Sequence, residues 1–330
     1  MRFRRGFWFL LLSLQALMSC SKEDDVEGNN APVIISYDDN NSSSSPNDSL
    51  PENTSSKDCF LVSLFASNGH SHQSAAAFGD YAFFITDRRS ALYFYDLNSK
   101  RMISVTNLGA MDEKTGGYYL YHCNQMTFGI DFFDKNDPFP LLYISQRARD
   151  DNRCIVEVFR LLPKTMNSIY TSLDVELVQT IYFPIMTIEN SLGRVNCAID
   201  NLNFLLYTYS YSTINSDSNR GKCRISCFNI PKISEKEVIL NDEDIIDSFS
   251  LDYSGINSQG GCIKDGYLYI GQGYSSVGIY LNIIDLQKKK LQNRIDLLHQ
   301  GIAWEPEGCF VYQGNIMISS GNNIWQFKSL

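Results

Sequence analysis

From Gln73 onward the chain repeats one alternation of polar and apolar positions. A polar side chain opens a run of small or apolar residues, a turn follows, and eight residues after the opener an aromatic-rich second strand begins. The copies run from Gln73 to Tyr81, Asn196 to Phe204, Gln259 to Tyr267 and Glu307 to Asn315. Gly79-Asp80, Asp265-Gly266 and Gln313-Gly314 are hairpin-turn pairs set between apolar runs. A fifth copy opens at Gln125, with a longer turn before Leu141. Third strands are read at Leu92–Leu97, Ile155–Leu161, Ile225–Ile230, Leu281–Leu286 and Ile324–Phe327, and fourth strands begin at Met102, Leu177, Ile245 and Arg294. The fifth repeat has no fourth strand of its own. The run Cys59–Phe65, of strand composition and otherwise unassigned, is expected to supply it and close a ring.

The openers lie 52, 71, 63 and 48 residues apart. Four-stranded units at this period cannot bury both faces alone, so they stack radially. The pattern predicts an all-β domain over 59–330, a five-bladed β-propeller closed by an N-terminal strand. A β-sandwich of the same strand count would not repeat its third strand in this way. The best helical candidate, 230–242, reads more easily as a loop.

The first residues change where this domain is placed. Arg2, Arg4 and Arg5 precede an apolar stretch, Phe7–Leu14, that is too short to span a bilayer. That is the layout of a signal peptide over 1–19. Leu17-Met18-Ser19-Cys20 resembles a bacterial lipobox, which implies a lipid on Cys20. Ser21-Lys22-Glu23-Asp24-Asp25 resembles the surface-export signal of Bacteroidota lipoproteins, which implies an outer-membrane anchor facing outward. Residues 20–58 form a polar linker with too little apolar material to offset its ordering entropy. Asp48-Ser49-Leu50 within it resembles the acceptor triplet for Bacteroidota O-glycosylation. Over 59–330 the chain resembles Bacteroidota surface lipoproteins of propeller type, a likeness of architecture that implies no activity.

Charge narrows the partners. The formal net charge is −9, and residues 21–58 hold nine acidic groups against Lys22 and Lys57. The propeller region is mildly acidic and carries no basic stripe, so nucleic acid is not an expected partner.

Candidate chemistry gathers at one end of the ring, where innermost strands begin. The openers Gln73, Gln125, Asn196, Gln259 and Glu307 form a ring there, and His70, His72, His122 and His299 all precede innermost strands. Loops between second and third strands add Arg88, Arg147 and Tyr274, and Trp304 stands close to Glu307. Amides, guanidinium forks and an indole suit sugar hydroxyls, carboxylates and sugar faces. Amides at a propeller axis also bridge neighbouring blades, and the sequence leaves both readings open.

Paired-carboxylate glycoside hydrolysis is disfavoured, because Glu307 alone occupies a suitable opener position, with Asp131 and Asp200 further along. His70, His72 and His122 resemble in type the divalent-metal ligands of propeller polysaccharide lyases, which implies a metal-assisted lyase as an alternative. No cofactor is otherwise expected. The eight cysteines beyond Cys20 show no CxxC spacing and read as small core residues, their pairing left open. The expected function is a lipid-anchored surface protein whose propeller binds a glycan or an outer-membrane protein partner. A structural or adhesion scaffold is the remaining alternative.

Overall fold

The computed structural model describes residues 59–64, 72–86, 91–108, 123–147, 154–183, 195–211, 221–255, 257–274 and 278–327. Cys20, the leader and the linker lie outside them, as do His70, Arg88 and His122. The described residues open with β1 (Cys59–Leu64). Blade 1 follows as β2 (His72–Phe78), β3 (Tyr81–Thr86), β4 (Ala91–Asp96) and β5 (Arg101–Asn107). Blade 2 comprises β6 (Gln125–Phe128), β7 (Leu142–Arg147), β8 (Cys154–Met166) and β9 (Ile169–Phe183). Blade 3 comprises β10 (Asn196–Asp200), β11 (Leu205–Tyr211) and β12 (Lys222–Asn229), then, after a detour through β13 (Glu237–Ile239), β14 (Asp247–Ser254). Blade 4 comprises β15 (Ser258–Lys264), β16 (Tyr267–Tyr274), β17 (Gly278–Asp285) and β18 (Lys290–Asp296). Blade 5 is completed from both ends of the domain: β19 (Gly308–Tyr312), β20 (Asn315–Ser320) and β21 (Asn323–Phe327) join β1.

Five sheets, antiparallel but for one strand added to blade 2, thus form a five-bladed propeller, and β1 pairs with β21 in the register Cys59 to Phe327 and Leu64 to Asn323. Radial packing explains the alternation. Among the described residues the buried apolar side chains form five clusters, one for each blade-to-blade interface. The cluster between blades 1 and 2 is aromatic: Phe83 stacks on Phe94 with centroids 4.8 Å apart and meets Phe128 edge-on at 5.4 Å. Such geometry adds to what burial of the rings alone contributes.

Two departures from the expected pattern both lie at blade edges. The segment read as a loop over 230–242 contains β13, which adds in parallel to the outer edge of β9 and makes blade 2 five-stranded. Only a 3₁₀ turn, Asp242–Asp244, follows it. Tertiary pairing decides here, because an isolated three-residue strand has no stability of its own. Capping the outer edge of β9 removes a row of unpaired backbone groups. The β8–β9 hairpin also outruns its neighbours. Its outer half lies against blade 1, where Tyr170 packs 5.2 Å from Tyr81 and Thr106 Oγ1 donates to Leu173 O at 2.6 Å. Among the described residues no helix is long and apolar enough to cross a membrane.

Candidate functional site

We call the face where innermost strands begin the top, and the opposite face the bottom. Five inner strands converge beneath the top around a narrow axis, and small residues let them approach. A Cβ at Gly260 would sit 2.4 Å from Glu307 O and 2.7 Å from Gly308 Cα; one at Gly308 would meet Ala75 at 2.7 Å.

The ring of openers occupies this crowded level. Gln73, Gln125, Asn196 and Glu307 are all buried. Gln73 Nε2 donates to Glu307 Oε1 at 3.1 Å, joining blades 1 and 5. Asn196 Nδ2 donates to the carbonyls of Ser258 and Gln259, at 3.2 and 3.3 Å, joining blades 3 and 4. Gln125 reaches further. Its Oε1 accepts from Gly261 N at 3.0 Å while its Nε2 donates to Gly261 O. Blades 2 and 4 are not ring neighbours, so this amide crosses the axis and fills it. Gln259 contributes its backbone carbonyl, which also accepts from Tyr209 Oη at 2.8 Å. A buried amide left unpaired would carry a desolvation cost of about 1–3 kcal/mol, and reciprocal bonding of this kind removes it.

His72 begins β2 and is fully buried, with Nδ1 3.1 Å from Ser319 Oγ of blade 5 and its ring stacked on Phe84 at 4.6 Å. Burial lowers its pKa to about 4, so the imidazole is neutral at physiological pH. It is the one candidate metal ligand among the described residues, and no group of three or more His, Cys, Asp or Glu able to hold a metal occurs among them. Arg147 ends β7 opposite Cys154, its side chain lying outside the description.

The exposed chemistry of the described top face is concentrated between blades 4 and 5. The segment linking β18 to β19 is pinned by the fully buried Leu297 and Ile302, with Ile302 N donating to Leu297 O at 2.9 Å. Asp296 Oδ1 accepts from the Leu298 and His299 amides, and Asp296 Oδ2 lies 2.9 Å from His299 Nδ1. At the far end Ser320 Oγ donates to Trp304 O at 2.7 Å. Trp304 stands beside Gly321, whose φ of +59° favours glycine and where an added Cβ would lie 3.5 Å from the indole Cγ, and the residue is 58% exposed. Tyr274 ends β16 at the same face and is half-buried, as is Glu305.

One further residue was missed in the sequence because it hides in an ordinary fourth-strand pattern. Arg294 lies over the Tyr280 ring, with Cζ 3.9 Å from the centroid, and Nη2 reaches Gln272 Oε1 at 3.4 Å. Gln272 also accepts from Asn282 Nδ2 at 2.9 Å. The alternation Leu291, Asn293, Ile295 against Arg294 was its only signal.

The described thiols of Cys59, Cys123, Cys197, Cys223, Cys227, Cys262 and Cys309 are all buried. Burial pushes Cys197 and Cys223 up to about 12 and Cys262 well above the ordinary thiol range. Thiolate is the reactive form, so these groups are inert in the fold. Native protein at pH 7.5 is expected to leave these three unlabelled by a maleimide, and denatured protein to label all three, as peptide mass spectrometry would show.

Neither a family model nor a curated protein matches the sequence. Among solved structures the chain is similar to a glutaminyl cyclase from Myxococcus xanthus, at 12% identity over 82% of this chain and 95% of that one, with a TM-score of 0.47. It is also similar to the Malassezia sympodialis allergen Mala s 1, at 8% identity over 78% and 92% with a TM-score of 0.41, and to a chain of a nidogen/laminin complex, at 11% over 73% and 68% with a TM-score of 0.38.

Proposed function

We propose that this protein is a surface-displayed binder, held by a lipid on Cys20, whose top face takes an extracellular glycan. The observation that carries the reading is Trp304, a residue 58% exposed, on a loop pinned at both ends and set beside Gly321, where an added Cβ would lie 3.5 Å from the indole. Large apolar groups held rigidly in solvent mark binding surfaces, and an indole offers a flat apolar face to a sugar ring at little entropic cost. Half-buried Glu305 beside it in the chain and Asn322 next to Gly321 supply polar groups there, and Tyr274 ends β16 at the same face. The amides of the inner ring serve the axis instead, which leaves recognition to this rim.

A leaderless chain with Cys20→Ser, run through affinity gels of neutral and acidic polysaccharides, tests the reading. Retardation by at least one polysaccharide is expected, and Trp304→Ala should weaken it about tenfold or more while changing unfolding free energy by under about 1 kcal/mol. Absence of retardation on every gel, or retardation indifferent to Trp304, would sink the glycan assignment.

A further inference from the structure

The bottom face carries a feature the proposed function does not use. Three of the five inner hairpins turn there through glycine: Gly79, Gly266 and Gly314, at φ of +57°, +80° and +74°. Blade 3 places Phe204 in the corresponding left-handed conformation, at φ +59°, a region that aromatic side chains rarely occupy. The turn is organised by the buried carboxylate of Asp200, which accepts from the amides of Leu202 and Asn203 at 3.0 and 3.2 Å and from Asn203 Nδ2 at 2.8 Å. What this turn presents is apolar: Leu202 is 70% and Phe204 61% exposed.

The adjacent bottom loop of blade 2 does the same. It is braced by Arg160, whose Nε and Nη2 donate to Asp137 at 2.9 and 2.8 Å and whose guanidinium lies 4.7 Å from the Phe133 centroid. Phe132 and Phe133, 41% and 42% exposed, project from it. Ile130 of this loop packs in the same cluster as Ile199 and Leu206, which flank the Asp200 turn, and Phe132 lies 6.2 Å from Phe78 on the blade 1 side, so the apolar tips belong to consecutive stretches of one bottom rim. Strain and bracing that hold four large apolar side chains in water call for a covering partner.

Chain polarity says which partner. β21 runs from top to bottom and β1 is antiparallel to it, so Cys59 lies at the bottom and the chain enters the propeller through this face. We propose that the bottom face of blades 2 and 3 seats on a phospholipid bilayer surface, with Phe132, Phe133, Leu202 and Phe204 entering the interfacial layer and the top face directed away. This rests on the reading of Cys20 as lipidated, since the chain from that anchor joins the domain at Cys59, on this face. The charges beside the tips, Asp131, Asp134 and Lys135, with Asp137 paired to Arg160, form no basic ring, so the fit is to zwitterionic rather than anionic lipid.

Flotation of the leaderless Cys20→Ser chain with protein-free phosphatidylcholine–phosphatidylethanolamine vesicles tests the seat without acyl chains. Co-flotation is expected, falling about tenfold or more on joint serine substitution of Phe132, Phe133, Leu202 and Phe204 with the circular dichroism spectrum unchanged. Should that variant fail to fold, Phe132→Ser with Phe133→Ser is read instead, with a smaller fall expected. A Cys20→Ser chain that stays with the soluble fraction overturns the seat. So does binding confined to native membrane vesicles and abolished by protease treatment of them, which would assign the patch to a protein. The mass of Cys20 in the wild type reports the anchor separately: an unacylated cysteine overturns the anchor reading, while the flotation result still decides the seat.

Discussion

Glu157→Gln is expected to raise the unfolding free energy by roughly 3 kcal/mol at pH 7 and to leave it nearly unchanged at pH 4. Glu157 sits on β8 opposite Ile144 of β7, so its side chain shares the face of Ile144, in the apolar interface with blade 1. It is buried, and its Oε2 makes no hydrogen bond among the described residues. Desolvation raises its pKa from 4.5 to about 8. The sign follows from that direction. The folded state holds a proton that the unfolded state releases above pH 4.5, so stability is complete below that value and falls as pH climbs towards 8. Glutamine keeps the shape without the titration. The difference between variant and wild type in urea unfolding should therefore grow from pH 4 to pH 8 and level off beyond. A difference independent of pH would show that the carboxyl is solvated or paired.

The largest loss is expected at the axis. Gly260→Ala should cost about 3 kcal/mol or more, because the added methyl would lie 2.4 Å from Glu307 O, 2.7 Å from Gly308 Cα and 2.9 Å from Cys309 N. All three are backbone atoms of the adjacent inner strand, so no side chain can swing aside. The substitution also pushes on the Gly260 N to Glu307 O bond of 3.0 Å. Gly314→Ala is the comparison: a Cβ there meets nothing within 4 Å, and only its φ of +74° is penalised, at about 1 kcal/mol. Equal losses for the two glycines in urea unfolding would show that the inner strands can move apart.

Both positions bear on what a sequence can disclose. The five openers and their hairpin turns were legible because they repeat, and repetition at blade period implies radial stacking whatever the local propensities. The closing strand was legible for a complementary reason: Cys59–Leu64 had strand composition and one blade lacked an edge. Strand β13 was not, since Glu237–Ile239 is too short to show a period and is held by Gln179, whose Nε2 donates to Lys232 O and Glu235 O. Glu157 was hidden inside an apolar run, where one carboxyl reads as the solvent-facing half of an alternation. The candidate site was legible in composition but not in geometry. Sequence places Gln125 at the top of an inner strand; that its amide crosses to Gly261 depends on how close the strands come, which glycines far along the chain determine. Trp304 and Tyr274 were found because large aromatics in loops stand out. Arg294 and Phe204 were overlooked because their neighbours form unremarkable strand and turn patterns.

The pairing of β1 with β21 also sets how the domain meets mechanical load. Were the chain anchored through Cys20 and a ligand held at the top face, tension would enter at Cys59 along β1 and be resisted from the far end of the same strand direction. Antiparallel ladder bonds lie perpendicular to the strands, so this pull slides β1 against β21 and strains the bonds between Cys59 and Leu64 together instead of peeling them singly. A tethered propeller closed in this way resists shear at the one seam where its two ends meet.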